Sequence, residues 1–148
     1  MSSDLLDVNL LVALAWPNHV HHRRARTWFR GRGERPWATT PVTESGFVRV
    51  SSNPAAIPTA VTPIEALALL DRLRAVPGHA FLADDLELVF GVTHVEPAHV
   101  VTHRMVTDAH LLALARRHGG RLATLDEGIV ALAGERPDDV LIIPPQPG

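Results

Sequence analysis

Apolar residues along this chain fall into two kinds of run. Residues 5–8, 121–125 and 140–143 are short stretches rich in Leu, Val, Ile and Ala, which read as strands buried on both faces. Residues 36–39 and 79–83 read as further short strands. Between them, longer segments repeat apolar residues three and four positions apart, the spacing of one helix face. A first helix is expected over residues 10–15, capped by Asn9 and stopped by Pro17. A second covers 19–30, with Val20, Ala25, Trp28 and Phe29 turned inward. Thr40-Pro41 and Thr62-Pro63 each set a hydroxyl before a proline. That is a helix start, because proline at the first helical position lacks only an N–H that the helix leaves unbonded. Helices follow to about residue 51 and over 64–74. Residues 84–94 read as a brief helix or turn, and 96–105 as a helical turn. Thr107 is expected to cap the strongest helix, 108–118, which ends at Gly119-Gly120. A short helix over 127–133 precedes the last strand, and the tail, 144–148, should be loose.

Strands alternating with helices predict an α/β fold whose short, mainly parallel central sheet is covered on both faces. The 148 residues suit one domain and show no internal repeat. In such sheets ligands collect beyond the carboxyl ends of the strands.

Four acids interrupt this pattern. Asp108 shares its helix face with Leu111, Leu112 and Ala115, and Glu44 shares one with Phe47 and Val48. Both sit near a helix start. Asp7 and Asp126 fall at the carboxyl ends of two strands. A buried carboxylate without a partner is costly. A helix N-terminus returns only about 0.3–1 kcal/mol, whereas two like charges ~4 Å apart repel by about 4 kcal/mol at an effective dielectric of ~20. If the four meet, arginine or a divalent cation must relieve them, or one must stay protonated. Carboxylates without cysteine suit hard, oxygen-seeking ions such as Mg²⁺ or Mn²⁺. Taken singly, each acid also reads as a turn or a helix cap, and order and spacing leave both readings open.

Composition narrows the chemistry. Hydrophobic residues make up 46% and charged residues 20%, ordinary for a globular domain. There is no cysteine, so disulfides and thiolate metal sites are excluded. The absence of a signal segment and of a membrane-length apolar run predicts a cytoplasmic protein without membrane attachment. All 14 basic residues are arginine. The absence of lysine excludes P-loop nucleotide hydrolases, which need one on the phosphates, and argues against phosphate-receiver domains and aspartyl-phosphate hydrolases, which rely on one too. The net charge of −2 does not advertise nucleic-acid binding, but Arg23, Arg24 and Arg26 lead a basic segment suited to phosphates, with Arg116 and Arg117 behind them. A solvated helix face is the alternative reading. The histidines of "HVHH" (19–22) read as solvated or phosphate-facing. His99 and His103 have a spacing zinc can use, but no Glu completes an HExxH motif. Trp16, Trp28 and Trp37 read as core or dimer contacts.

The stretches "DVNLLVALAWP" (7–17), "WATTPVTESGFVRVSSNP" (37–54), "VTDAHLLALARRHGGRLATLDEGI" (106–129) and "VLIIP" (140–144) carry a resemblance. Together the chain resembles PIN-domain proteins, and more closely the VapC toxins of bacterial toxin–antitoxin pairs. The resemblance implies a PIN-like three-layer α/β/α sandwich and a Mg²⁺-dependent endoribonuclease, with Mn²⁺ able to substitute. It further implies a homodimer, neutralised by a small VapB-type antitoxin. The family's acidic positions fall on Asp7, Glu44, Asp108 and Asp126, its small polar residue on Asn9 and its hydroxyl on Thr124. Asp7 and Asp108 are then the main direct metal ligands, Glu44 and Asp126 act directly or through water, and Asn9 and Thr124 orient them. Residues 79–100 match least. The rival reading is a PIN-like module that binds RNA or protein without hydrolysing anything.

Overall fold

The computed structural model describes residues 2–88 and 94–145. Among them, β1 (Asp4–Leu6) leads through α1 (Val8–Ala15) and α2 (His22–Gly31) to β2 (Trp37–Thr39). Then come α3 (Pro41–Ser51), α4 (Pro63–Arg74) and β3 (His79–Phe81). Two 3₁₀ turns, Pro97–His99 and His103–Met105, precede α5 (Val106–Arg117), β4 (Arg121–Thr124), α6 (Val130–Ala133) and β5 (Val140–Ile142). The strands form one five-stranded sheet in the order β3-β2-β1-β4-β5, with every pairing parallel. The chain therefore winds outward one way from β1, then returns to wind the other way from β4. The switch lies between β1 and β4, and in sheets of this kind ligands gather at the carboxyl edge of that point.

Alternation along the strands divides the core into two layers. Leu5, Ala38, Leu122 and Val140 face α5 and α6. Leu6, Trp37 and Ala123 face the layer that holds α1, α2, α3 and α4, packed with Leu10, Leu11, Ala25, Phe47 and Leu70. The result is the three-layer α/β/α sandwich.

Element boundaries differ from expectation in ways that matter locally. Val8 opens α1 rather than closing a strand, because the Asp7 carboxylate accepts its N–H. Asn9 lies inside the helix and is not its cap. α2 starts three residues later than expected, and Val20 is exposed rather than inward. Thr107 does not cap α5, because the turn His103–Met105 feeds directly into it and the cap position falls on Met105. Residues 84–87 carry no regular structure; the rest of the helix or turn expected over 84–94 includes 89–93, outside the described residues. Thr62 and Glu65 form the reciprocal cap of α4, and Thr43 Oγ1 accepts the Thr40 N–H at 3.1 Å at the start of α3. Trp37 is buried in the core, and the Trp16 ring N–H donates to the buried Ser51 hydroxyl.

Candidate active site

Asp7 leaves β1 at its carboxyl end and caps α1. One carboxylate oxygen accepts the Val8 N–H at 2.7 Å, and the other accepts the Thr124 hydroxyl at 2.8 Å. Thr124 closes β4, and the pairing of Leu6 with Ala123 brings the two strand ends side by side. The Thr124 hydroxyl is buried and joins several groups. It donates to Asp7 and accepts from Asn9 Nδ2 at 3.2 Å and from the Asp126 N–H at 3.1 Å. Asn9 Oδ1 accepts the Leu125 N–H at 3.2 Å, so the first turn of α1 is tied to the end of β4 twice. Asp126 is exposed and caps the 3₁₀ turn Glu127–Ile129 through the Gly128 N–H at 2.9 Å.

Asp108 is the third residue of α5 and half-buried, above the fully buried Leu111 and Leu112. Burial pushes its carboxyl up to about 6, and the charges of Asp7 and Asp126 add to the rise. Burial also raises Asp7; the Thr124 and Val8 hydrogen bonds pull it back, and the Asp126 charge adds to the rise. These three acids therefore act on one another across the β1–β4 edge. Beside Asp108 and Asp126 lies a cleft of about 230 Å³, lined as well by Arg104, Met105, Gly128 and Ile129.

Glu44 stands apart from this coupling. Its Oε2 accepts the Thr39 hydroxyl at 2.6 Å, and its Oε1 pairs with Arg74 at 3.3 Å. With its proton given to Glu44, the Thr39 oxygen is left to accept from His79 Nε2, 2.8 Å away. The charges that raise Asp7 and Asp108 come from the other aspartates, not from Glu44.

The predicted RNA-binding arginines divide. Arg24 reaches the far end of the chain, donating to the carbonyls of Ile143 and Pro144. Arg116 is nearly buried and donates to Asp139, His94 O and Ala133 O. Arg117 pairs with Asp85 at 3.0 Å on the surface. Arg23 and Arg26 are exposed on α2. Sequence reasoning passed over Arg104, Arg74 and Thr39. Arg104 lies in the turn that leads into the helix of Asp108, and its nearness in sequence was the available signal.

The donor set suits a hard divalent ion. The candidate ligands are carboxylates steadied by a hydroxyl and an amide, and their mutual repulsion leaves a deficit of positive charge. Among the described residues no three acidic or histidine side chains enclose a common point. The four expected carboxylates, Asp7, Glu44, Asp108 and Asp126, are thus not brought around a single ion position in this structure.

The family model of the PIN domain matches residues 5–135. The chain is 54% identical to Ribonuclease VapC38 of Mycobacterium tuberculosis over 133 residues, covering 90% of this chain and 92% of that protein. It is 50% identical to Ribonuclease VapC39 of the same organism over 125 residues, covering 84% and 89%. With Ribonuclease VapC44 the identity is 40% over 129 residues, covering 87% and 89%. A five-stranded parallel sheet between two helical layers, acids gathered at its β1–β4 edge and these matches agree: the chain belongs to the PIN-domain family, in its VapC branch.

Proposed function

We propose that this chain, one PIN domain throughout, is an endoribonuclease toxin that hydrolyses RNA phosphodiester bonds with Mg²⁺ or Mn²⁺. The observation that carries this reading is the placement of Asp7, Asp108 and Asp126 at one sheet edge, where burial first, and then the charges of Asp7 and Asp126, lift Asp108 to about 6. When bound, a divalent ion supplies the Lewis acidity that makes water nucleophilic near neutral pH and offsets charge on the phosphate oxygens. Asp7 and Asp108 are the direct ligands. Thr124 holds Asp7 in place through its hydroxyl, and Asn9 holds Thr124. Asp126 and Glu44 would act directly or through water, with Glu44 held by Arg74. Arg23 and Arg26 are exposed and available to RNA, and Arg117 lies on the surface paired with Asp85. The names of the VapC relatives support RNA as substrate; a VapB-type antitoxin as partner, a homodimer and a cytoplasmic location complete the proposal. No helix among the described residues is long and apolar enough to cross a membrane.

The test is cleavage of bulk cellular RNA by the purified chain. Cutting should require Mg²⁺ or Mn²⁺, stop in chelator, and be lost in Asp7→Asn and Asp108→Asn. Undiminished cutting by both variants would overturn the assignment. Binding of RNA with no cutting in any divalent ion would favour the non-catalytic module.

A further inference from the structure

Most arginines whose surroundings are described are already engaged. Arg35 and Arg121 hold Asp4, Arg74 holds Glu44, Arg117 holds Asp85, and Arg116 and Arg136 share Asp139. Arg24 and Arg32 donate to backbone carbonyls. Arg104 is different. It is exposed, makes no hydrogen bond or ion pair among the described residues, and lines the cleft that also holds Asp108 and Asp126. No other arginine lines that cleft.

Its position is unfavourable for a purely structural cation. Arg104 lies in the turn His103–Met105 that runs into the N-terminus of α5, the positive end of the helix dipole. Nor does it neutralise its acidic neighbours: the charges acting on Asp108 are those of Asp7 and Asp126. Arg104 thus shares the lining of a cleft of about 230 Å³ with Asp108 and Asp126 and forms no ion pair with either. A lining that combines one cation with two acids suits an anion that carries a cation of its own. An RNA phosphate with a divalent ion has that polarity, and guanidinium matches phosphate oxygens in a bidentate fork.

We infer that Arg104 binds an RNA phosphate in the acidic cleft and positions the strand for cleavage. The inference rests on the ribonuclease reading and goes beyond it by assigning the substrate contact. Neutralising one phosphate contact on a single strand contributes about 0.7 to the slope of log affinity against log salt.

The experiment measures binding of a fluorescein-labelled, short single-stranded RNA by anisotropy across a salt series, with Ca²⁺ replacing Mg²⁺ to slow hydrolysis. Cleavage in Mg²⁺ and melting temperature are measured in parallel. Arg104→Ala should bind more weakly, with the salt slope reduced by about 0.7. It should raise KM for cleavage and leave the melting temperature of the metal-free protein unchanged. Arg104→Lys should restore the slope, since the charge returns, but recover KM only in part, since the fork does not. An unchanged slope in Arg104→Ala, with wild-type protein cutting RNA normally, overturns this inference alone. A fall in melting temperature with an unchanged slope assigns Arg104 to the fold and also overturns it. Wild-type protein that neither binds nor cuts RNA overturns the ribonuclease reading, and this inference with it.

Discussion

The Thr124 hydroxyl has one proton and gives it to Asp7, while its lone pairs serve Asn9 and the Asp126 backbone. Thr124→Val keeps the shape and removes all three bonds. The buried Asp7 oxygen is left without its donor, and the half-buried Asn9 amide and Asp126 N–H lose their acceptor, which should cost about 1–3 kcal/mol in urea unfolding. Cleavage should fall about 10–100-fold, the usual effect of removing a group that orients a metal ligand. Thr124→Ser should recover most of the cleavage. Asp108 supports a second residue-level prediction. Its folded carboxyl stands at about 6, above the ordinary 3.8. The folded metal-free protein therefore holds a proton that the unfolded chain releases, and stability falls as pH rises from about 4 through about 6. Asp108→Asn lacks this penalty. Its melting temperature without metal should exceed that of wild type at pH 7, and the gap should close below about pH 4. Equal temperatures across that range would mean that Asp108 is not under strain. At this scale the sequence exposed the acids and the hydroxyl, because strand ends and helix faces follow from local pattern. It did not expose the roles of Arg24 or Arg116. Apart from the Asp139 carboxylate, their partners are backbone carbonyls up to 120 positions away, and a carbonyl leaves no mark in a sequence.

Between elements, the site depends on how closely α3 approaches α1. A Cβ placed on Gly46 would meet Val8 Cγ2 at 2.6 Å, inside any tolerable contact. Val8 is β-branched, held in the first turn of α1 beside Asp7, and cannot swing away freely. Alanine at an exposed helix position would gain about 0.8–1 kcal/mol over glycine. Here overpacking should dominate, and Gly46→Ala should lose about 1–3 kcal/mol. Val8→Ala in the same chain should return much of that loss, and the four proteins of the cycle, unfolded in urea, isolate the contact. Equal losses with and without Val8 would place the strain elsewhere. Helix existence was legible from the apolar period and the Thr-Pro starts, whereas α2 begins three residues later than expected and the caps of α1 and α5 were misread. Asn9 and Thr107 both have cap chemistry, but Asp7 sits nearer the strand end, and the turn before α5 supplies helical geometry before Thr107 is reached.

The molecule as a whole treats its two sheet edges differently. At the amino edge, Asp4 is fully buried and held by Arg35 at 2.9 Å and Arg121 at 2.7 Å. At the carboxyl edge, Asp7 is buried to almost the same degree, yet its carboxylate has a hydroxyl and an amide instead of a guanidinium. The same chemical group is thus compensated at one end of β1 and left with a deficit of positive charge at the other. That asymmetry predicts how the whole fold responds to a divalent ion. Mg²⁺ or Mn²⁺ at about 100 times its dissociation constant should stabilise the folded chain by about 2.7 kcal/mol, a rise of about 5–10 °C for a domain of this size. The ion competes with the proton on Asp108. The rise should therefore be full above about pH 7, shrink as pH falls through about 6, and be small near pH 4. Asp7→Asn should show a much smaller rise at every pH. Asp4→Asn, whose carboxylate belongs to the arginines, should unfold more readily and still gain the full increment from the metal. Scanning calorimetry of the three proteins across that pH range distinguishes a specific site at the carboxyl edge from diffuse binding to surface acids, which would stabilise all three alike.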